Sequence, residues 1–113
     1  MHRPLWYRRD GTPFPDGAYA DIEKCLHDVT YKRVAQTTLP DGTWISTVWL
    51  GIDHGFMCGA SRPIIFETMV FRSKTDMTEL DIDRYATEAE ARAGHEAMVA
   101  KWHAKIAAGK RAE

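Results

Sequence analysis

Residues 39–42 read Leu-Pro-Asp-Gly and stand between two strand-like segments, YKRVAQTTL (31–39) and TWISTVWLGID (43–53). Proline presets φ at one turn position and glycine accepts positive φ at another, so the chain must reverse here. A tight reversal between extended segments joins them as an antiparallel hairpin. A lone hairpin is marginal in water, so the remaining chain must supply further strands and a cover for one face.

The remaining chain offers both. PIIFETMVF (63–71) reads as the next strand and DIDRYA (81–86) as a fourth, with a loop over 53–62 and a polar connection, RSKTDMTEL, between. PLWYRR near the start is expected to form a short edge strand before the turn-rich DGTPFPDG. Ile22, Cys25, Leu26 and Val29 recur at helical spacing, which predicts a helix over about 17–28 capped by Asp16. Thr87 and Glu90 have the spacing of a capping box, and a second helix should run from there to about 108, with Gly109 in the stop position. Its apolar stripe is Ala91, His95, Met98, Val99, Trp102 and Ile106.

Helix, strands, helix is the order of an α+β domain. The expected fold is an antiparallel β-sheet of about four strands with an N-terminal helix and a long C-terminal helix packed on one face. A chain of 113 residues fits one domain over 1–113, with 1–15 as an N-terminal arm and 109–113 as a frayed tail.

Composition narrows the function. Fifteen basic and sixteen acidic residues leave a net charge of −1, without the basic bias of a general nucleic-acid or membrane-surface binder. No apolar run is long enough for a membrane span, and the start lacks the pattern of a secretion signal. Two distant cysteines, Cys25 and Cys58, make no disulfide framework, so the expected compartment is the cytoplasm.

The residues that could carry chemistry cluster around one loop and one helix. TVWLGIDHG runs from an apolar strand into Asp53 and His54, and Glu67 interrupts the apolar run of the next strand. A buried carboxylate needs a partner, which Arg84, Arg72 or a histidine could supply. Glu67 must share a face with either Trp49 and Asp53 or with Leu50 and His54, depending on strand register. His95 lies on the apolar stripe of the last helix beside Gly94. That glycine costs about 1 kcal/mol relative to alanine in a helix interior unless something approaches closely. His95 is then either a core histidine bonded to one sheet carbonyl or a ligand-contacting or catalytic group. Eight residues further on, His103 lies off the stripe and should be solvated. Trp44 and Trp49 fall on opposite faces of one strand, so both faces meet something.

Asp53, His54, Glu67 and His95 are metal ligands by type, but they match no compact motif, and neither metal nor cofactor is expected. A Cys58–His54 pair is chemically conceivable in the glycine-studded loop. No phosphate-cradling loop or dinucleotide fingerprint is present.

The stretches STVWLGIDH, PIIFETMVF and RYATEAEARAGHEAMV, with YRRDGTP near the start, resemble a group of short uncharacterised proteins of bacteriophages and actinobacterial genomes. The resemblance implies a phage or prophage origin and a cytoplasmic location in the bacterial host, and implies no activity. The leading expectation is a non-enzymatic accessory protein, a homo-oligomer that binds a small anionic, nucleotide-like ligand or a host protein, with a role in disarming host defences. Trp49, Asp53, His54, Glu67, Arg84 and His95 would line its site. The alternatives are a small phosphate or nucleotide hydrolase using His95 with Asp53 or Glu67, and a purely structural homo-oligomer joined through the uncovered sheet face.

Overall fold

The computed structural model describes residues 4–55 and 59–109. Elements follow in the order α1 (Tyr19–Leu26), α2 (Val29–Lys32), β1 (Arg33–Thr38), β2 (Trp44–Trp49), β3 (Phe66–Phe71), β4 (Glu79–Tyr85) and α3 (Glu88–Ala107). The strands form one antiparallel sheet in the order β1-β2-β3-β4, each paired with the next in sequence. The α+β fold expected from the sequence is the one observed.

The Leu39–Gly42 turn closes the first hairpin. Gly42 adopts φ +97° and its N–H donates to the Leu39 carbonyl at 2.9 Å. Asp41 holds the return strand by accepting from the Thr43 N–H (2.9 Å) and hydroxyl (3.0 Å).

Helix α3 begins as its capping box predicts. The Thr87 hydroxyl accepts from the Glu90 N–H, and the Glu90 carboxylate returns to the Thr87 N–H. Ala91, His95, Met98 and Trp102 are buried against the sheet, with Val99 and Ile106 half-buried beside them. The helix crosses all four strands. On the sheet side it meets Ile45, Thr47, Trp49, Phe66, Thr68 and Val70, which alternate along β2 and β3 and are buried. At the far end Asp81 accepts from Lys101 Nζ (2.7 Å) and Trp102 Nε1 (2.9 Å) of α3. Burial pushes the Asp81 carboxyl up, but these donors outweigh it and leave its pKa below the ordinary value.

The N-terminal region differs in detail from the expectation. PLWYRR forms isolated bridges, Trp6 to Ile52 and Tyr7 to Pro13, in place of an edge strand. The first helix starts at Tyr19, after Ala18, so Asp16 does not cap it. Gly17 stands between them at φ +81°, a conformation outside the helix. The helical stretch also breaks at His27–Asp28. Asp28 then caps the single turn of α2 by accepting from the Tyr31 N–H. Arg9 ties these pieces together. Its guanidinium donates twice to Glu88 (2.7 and 3.0 Å) at the start of α3 and once each to the Tyr31 and Arg33 carbonyls.

Candidate functional site

His95 is 1 % exposed and sits beneath α3 in a row of hydroxyls. Its Nε2 is 2.9 Å from Thr37 Oγ1 of β1, and its Nδ1 is 2.7 Å from Thr47 Oγ1 of β2. Thr47 is hydrogen bonded in turn to Thr68 of β3, and the Tyr85 hydroxyl of β4 donates to Thr68 at 3.1 Å. Strand register brings them to one face: Thr47 is paired with Thr68 across β2 and β3, and Thr37, paired with Ile45, lies diagonally beside Thr47 on β1. A neutral imidazole has one donor and one acceptor nitrogen, and a threonine hydroxyl can serve either, so both nitrogens are satisfied. Burial lowers the imidazole pKa, opposed by the Glu96 carboxylate. His95 is therefore a core histidine, held by side-chain hydroxyls where the sequence suggested a sheet carbonyl. The close approach at Gly94 is also real, and the approaching group is the Tyr85 ring.

Glu67 and Arg84 meet on the other face of the sheet. They are register partners on β3 and β4, and Arg84 Nε donates to Glu67 Oε2 at 3.0 Å. Glu67 also pairs with Val48, which places it on the face away from α3 and from Trp49, so it does not share a face with Trp49 as the first of the two registers would require. The sheet thus stands between this ion pair and His95.

Asp53 and His54 belong to a third place, the loop after β2. Asp53 Oδ1 accepts from the Gly55 N–H (2.7 Å) and the Ile64 N–H (2.9 Å), so the carboxylate pins both ends of the loop. His54 donates its own N–H to the Ile64 carbonyl (2.8 Å), and its Nδ1 lies 3.1 Å from the Ile52 carbonyl. Trp49 is 1 % exposed, donates its indole N–H to the Tyr7 carbonyl and meets the Tyr31 ring edge-on, which leaves it no stacking surface. Cys58, the other half of the conceivable pair with His54, lies outside the described residues. Among the described residues no three His, Cys, Asp or Glu side chains converge on a metal position.

The six sequence-predicted residues thus fall into three groups: His95 and Trp49 in the core, Asp53 and His54 in a loop, Glu67 and Arg84 on the outer face. A groove of about 350 Å³ between the N-terminal arm and α1, lined by Leu5, Trp6, Phe14, Asp16, Tyr19 and Ile22, contains none of them.

The outer face of the sheet carries a set of side chains that only the strand pairing brings together. Its middle row is Gln36, Ser46, Met69 and Ile82. Thr38, Trp44, Phe71 and Glu79 form the row at one end, and Val48, Glu67 and Arg84 the row at the other. Trp44 stacks on Phe71 with ring centroids 5.4 Å apart. Trp44, Val48, Met69 and Phe71 are half-buried, Ile82 is 38 % exposed, and no helix among the described residues packs on them. The signal was present in β3, where Glu67, Met69 and Phe71 alternate with Phe66, Thr68 and Val70, leaving large side chains on both faces.

No known protein family, curated protein or solved structure matches the chain.

Proposed function

We propose that this is a non-enzymatic accessory protein of phage type that binds another protein through the outer face of its sheet. The observation that carries this reading is the set Trp44, Val48, Met69, Phe71 and Ile82, left uncovered while α3 takes the apolar residues of the other face. A contiguous apolar patch rimmed by polar groups marks an interaction surface. Gln36, Thr38, Glu79 and the Glu67–Arg84 pair supply that rim. The resemblance to short phage proteins supports an accessory role in the cytoplasm of a bacterial host, counter-defence included.

A hydrolase or an anion site built on His95, Asp53, Glu67 and Arg84 would need those residues to converge. His95 bonds to threonines on one side of the sheet, Glu67 and Arg84 pair on the other, and Asp53 binds backbone N–H groups of its own loop. The experiment is native mass spectrometry of wild-type and Met69→Lys protein from bacterial lysate, each followed by a denaturing run. Wild type should carry added protein mass that the variant lacks. A stoichiometric small molecule or metal retained equally by both would overturn the reading.

A further inference from the structure

The sheet can meet a partner at its edges or on its outer face, and each edge already has part of its backbone bonded to side chains. On β4 the outward N–H groups of Ile82 and Arg84 donate to the carboxylates of Asp81 and Asp83, at 2.9 Å each. On β1 the Arg33 and Val34 carbonyls accept from Arg9 (3.0 Å) and Arg92 (3.5 Å). A strand added to either edge would have to displace these bonds, whereas the face requires no such exchange.

Resting on the reading of the outer face as a protein-binding surface, we infer that its occupant is a second copy of this chain. The two sheets would stack face to face about a two-fold axis that runs across the strands through the row of Met69 and Ile82. The charges on β4 carry the inference. Glu79 lies at one end of the outer face, opposite Phe71, and Arg84 at the other, opposite Glu67. An axis across the strands lays β4 antiparallel over β4 of the second copy, so that Glu79 of each copy meets Arg84 of the other. Both groups have capacity to spare. Glu79 is exposed and forms no ion pair among the described residues. Arg84 gives only its Nε to Glu67, and its side chain is 45 % exposed. A guanidinium has five N–H donors, so Arg84 can hold Glu67 within its own chain and Glu79 across the interface at once.

The same operation places the Trp44–Phe71 ring pair of one copy over Val48 and the Glu67 stem of the other, so the bulky end meets the slighter one. Met69 and Ile82 meet their own counterparts at the axis, as an isologous interface requires. Sheets stacked in this way pack about 10 Å apart with strands near −30°. A net charge of −1 per chain opposes the approach only weakly. Four strands of six or seven residues span roughly 20 by 20 Å, a footprint small for a permanent dimer, so association should be weak and concentration-dependent.

Sedimentation velocity over a concentration series tests this with four proteins: wild type, E79R, R84E and M69K. Their folding is checked by thermal unfolding, because Arg84→Glu also removes the partner of Glu67. Wild type should pass from monomer to dimer as concentration rises. E79R and R84E should each associate at least about tenfold more weakly, since each homodimer sets like charges together twice. An equimolar mixture of E79R and R84E should recover dimer, because the mixed pair places opposite charges at both contacts. M69K, which alters neither charge, should remain monomeric. Dimers indifferent to all three substitutions would overturn both the two-fold arrangement and the outer-face reading. A wild-type monomer at every concentration would overturn the second copy alone. The outer-face reading would then stand or fall by whether M69K releases a different protein in the mass measurement.

Discussion

The Tyr85 ring occupies the space that a side chain at Gly94 would need: an added Cβ would lie 2.2 Å from Cε1 and 2.4 Å from the hydroxyl oxygen. The glycine in mid-helix is the condition for α3 to lie close to β4, and it lets the Tyr85 hydroxyl reach Thr68. Gly94→Ala should destabilise the fold by about 1–3 kcal/mol through overpacking, although alanine is the better helix former by about 1 kcal/mol. In a Tyr85→Ala background the same substitution should be neutral or stabilising. Urea unfolding of the four proteins of this cycle reads the coupling directly, and additive effects would remove the explanation.

His95 makes stability depend on pH in a stated direction. Burial lowers the imidazole pKa in the folded chain, against an ordinary value of 6.5. Around and below that value the unfolded chain binds more protons, so stability rises with pH there. The contribution is complete above about pH 6.5 and is lost as pH falls toward the folded-state pKa. His95→Gln can still bond the Thr37 and Thr47 hydroxyls and carries no titrating group. Its unfolding midpoint should lack the His95 share of the slope between pH 7 and 5, a difference that parallel denaturant titrations would measure.

Asp53 should behave as a loop anchor. Asp53→Ala removes the acceptor of the Gly55 and Ile64 N–H groups and should cost about 1–3 kcal/mol. Asp53→Asn keeps a carbonyl oxygen and should cost less. Amide exchange should quicken at Gly55 and Ile64 in the alanine variant first, and unchanged protection there would count against the assignment.

Arg9 joins the arm, the start of β1 and the start of α3, and its fork geometry is the reason it can. Arg9→Lys keeps the charge but cannot donate in parallel to Glu88 while reaching two carbonyls, so it should be destabilising despite its conservative look. The Arg9 hydrogen bond, supported by Arg92, holds the Glu88 carboxyl below its ordinary pKa. The stability it lends is present above the usual carboxylate range and lost as pH falls through the lowered folded value. Arg9→Lys should narrow that acid-side loss, which unfolding curves at pH 3 to 6 would show.

What was legible in the sequence was local. The turn at 39–42 and the Thr87–Glu90 cap each depend on a few adjacent residues whose backbone preferences point one way, and both formed as read. Asp16 has the residue type of a cap and so predicts too early a start for the first helix, while Gly17 takes a conformation outside any helical run. The register of Glu67 could not be read, because β2 carries Trp44 and Val48 on one face and Ile45 and Trp49 on the other. Without polar alternation, periodicity gives no inside. The partners of His95 were hidden for a related reason. Thr37, Thr47 and Thr68 sit on three strands, and threonine in a strand is ordinary, so only the pairing shows that three hydroxyls share the face that receives one imidazole. Trp44 and Trp49 on opposite faces of one strand point to an uncovered sheet face, but not to which of them lies on it or to Val48, Met69 and Phe71 as parts of the same surface.

The side chains that occupy the sheet edges also limit what can happen at high concentration. Fibrous aggregates grow by adding strands to an exposed edge, and Asp81, Asp83, Arg9 and Arg92 have already taken backbone groups that such growth would template on. Growth at either edge would therefore have to break these bonds first, whereas a two-fold stack of the outer faces would close on itself.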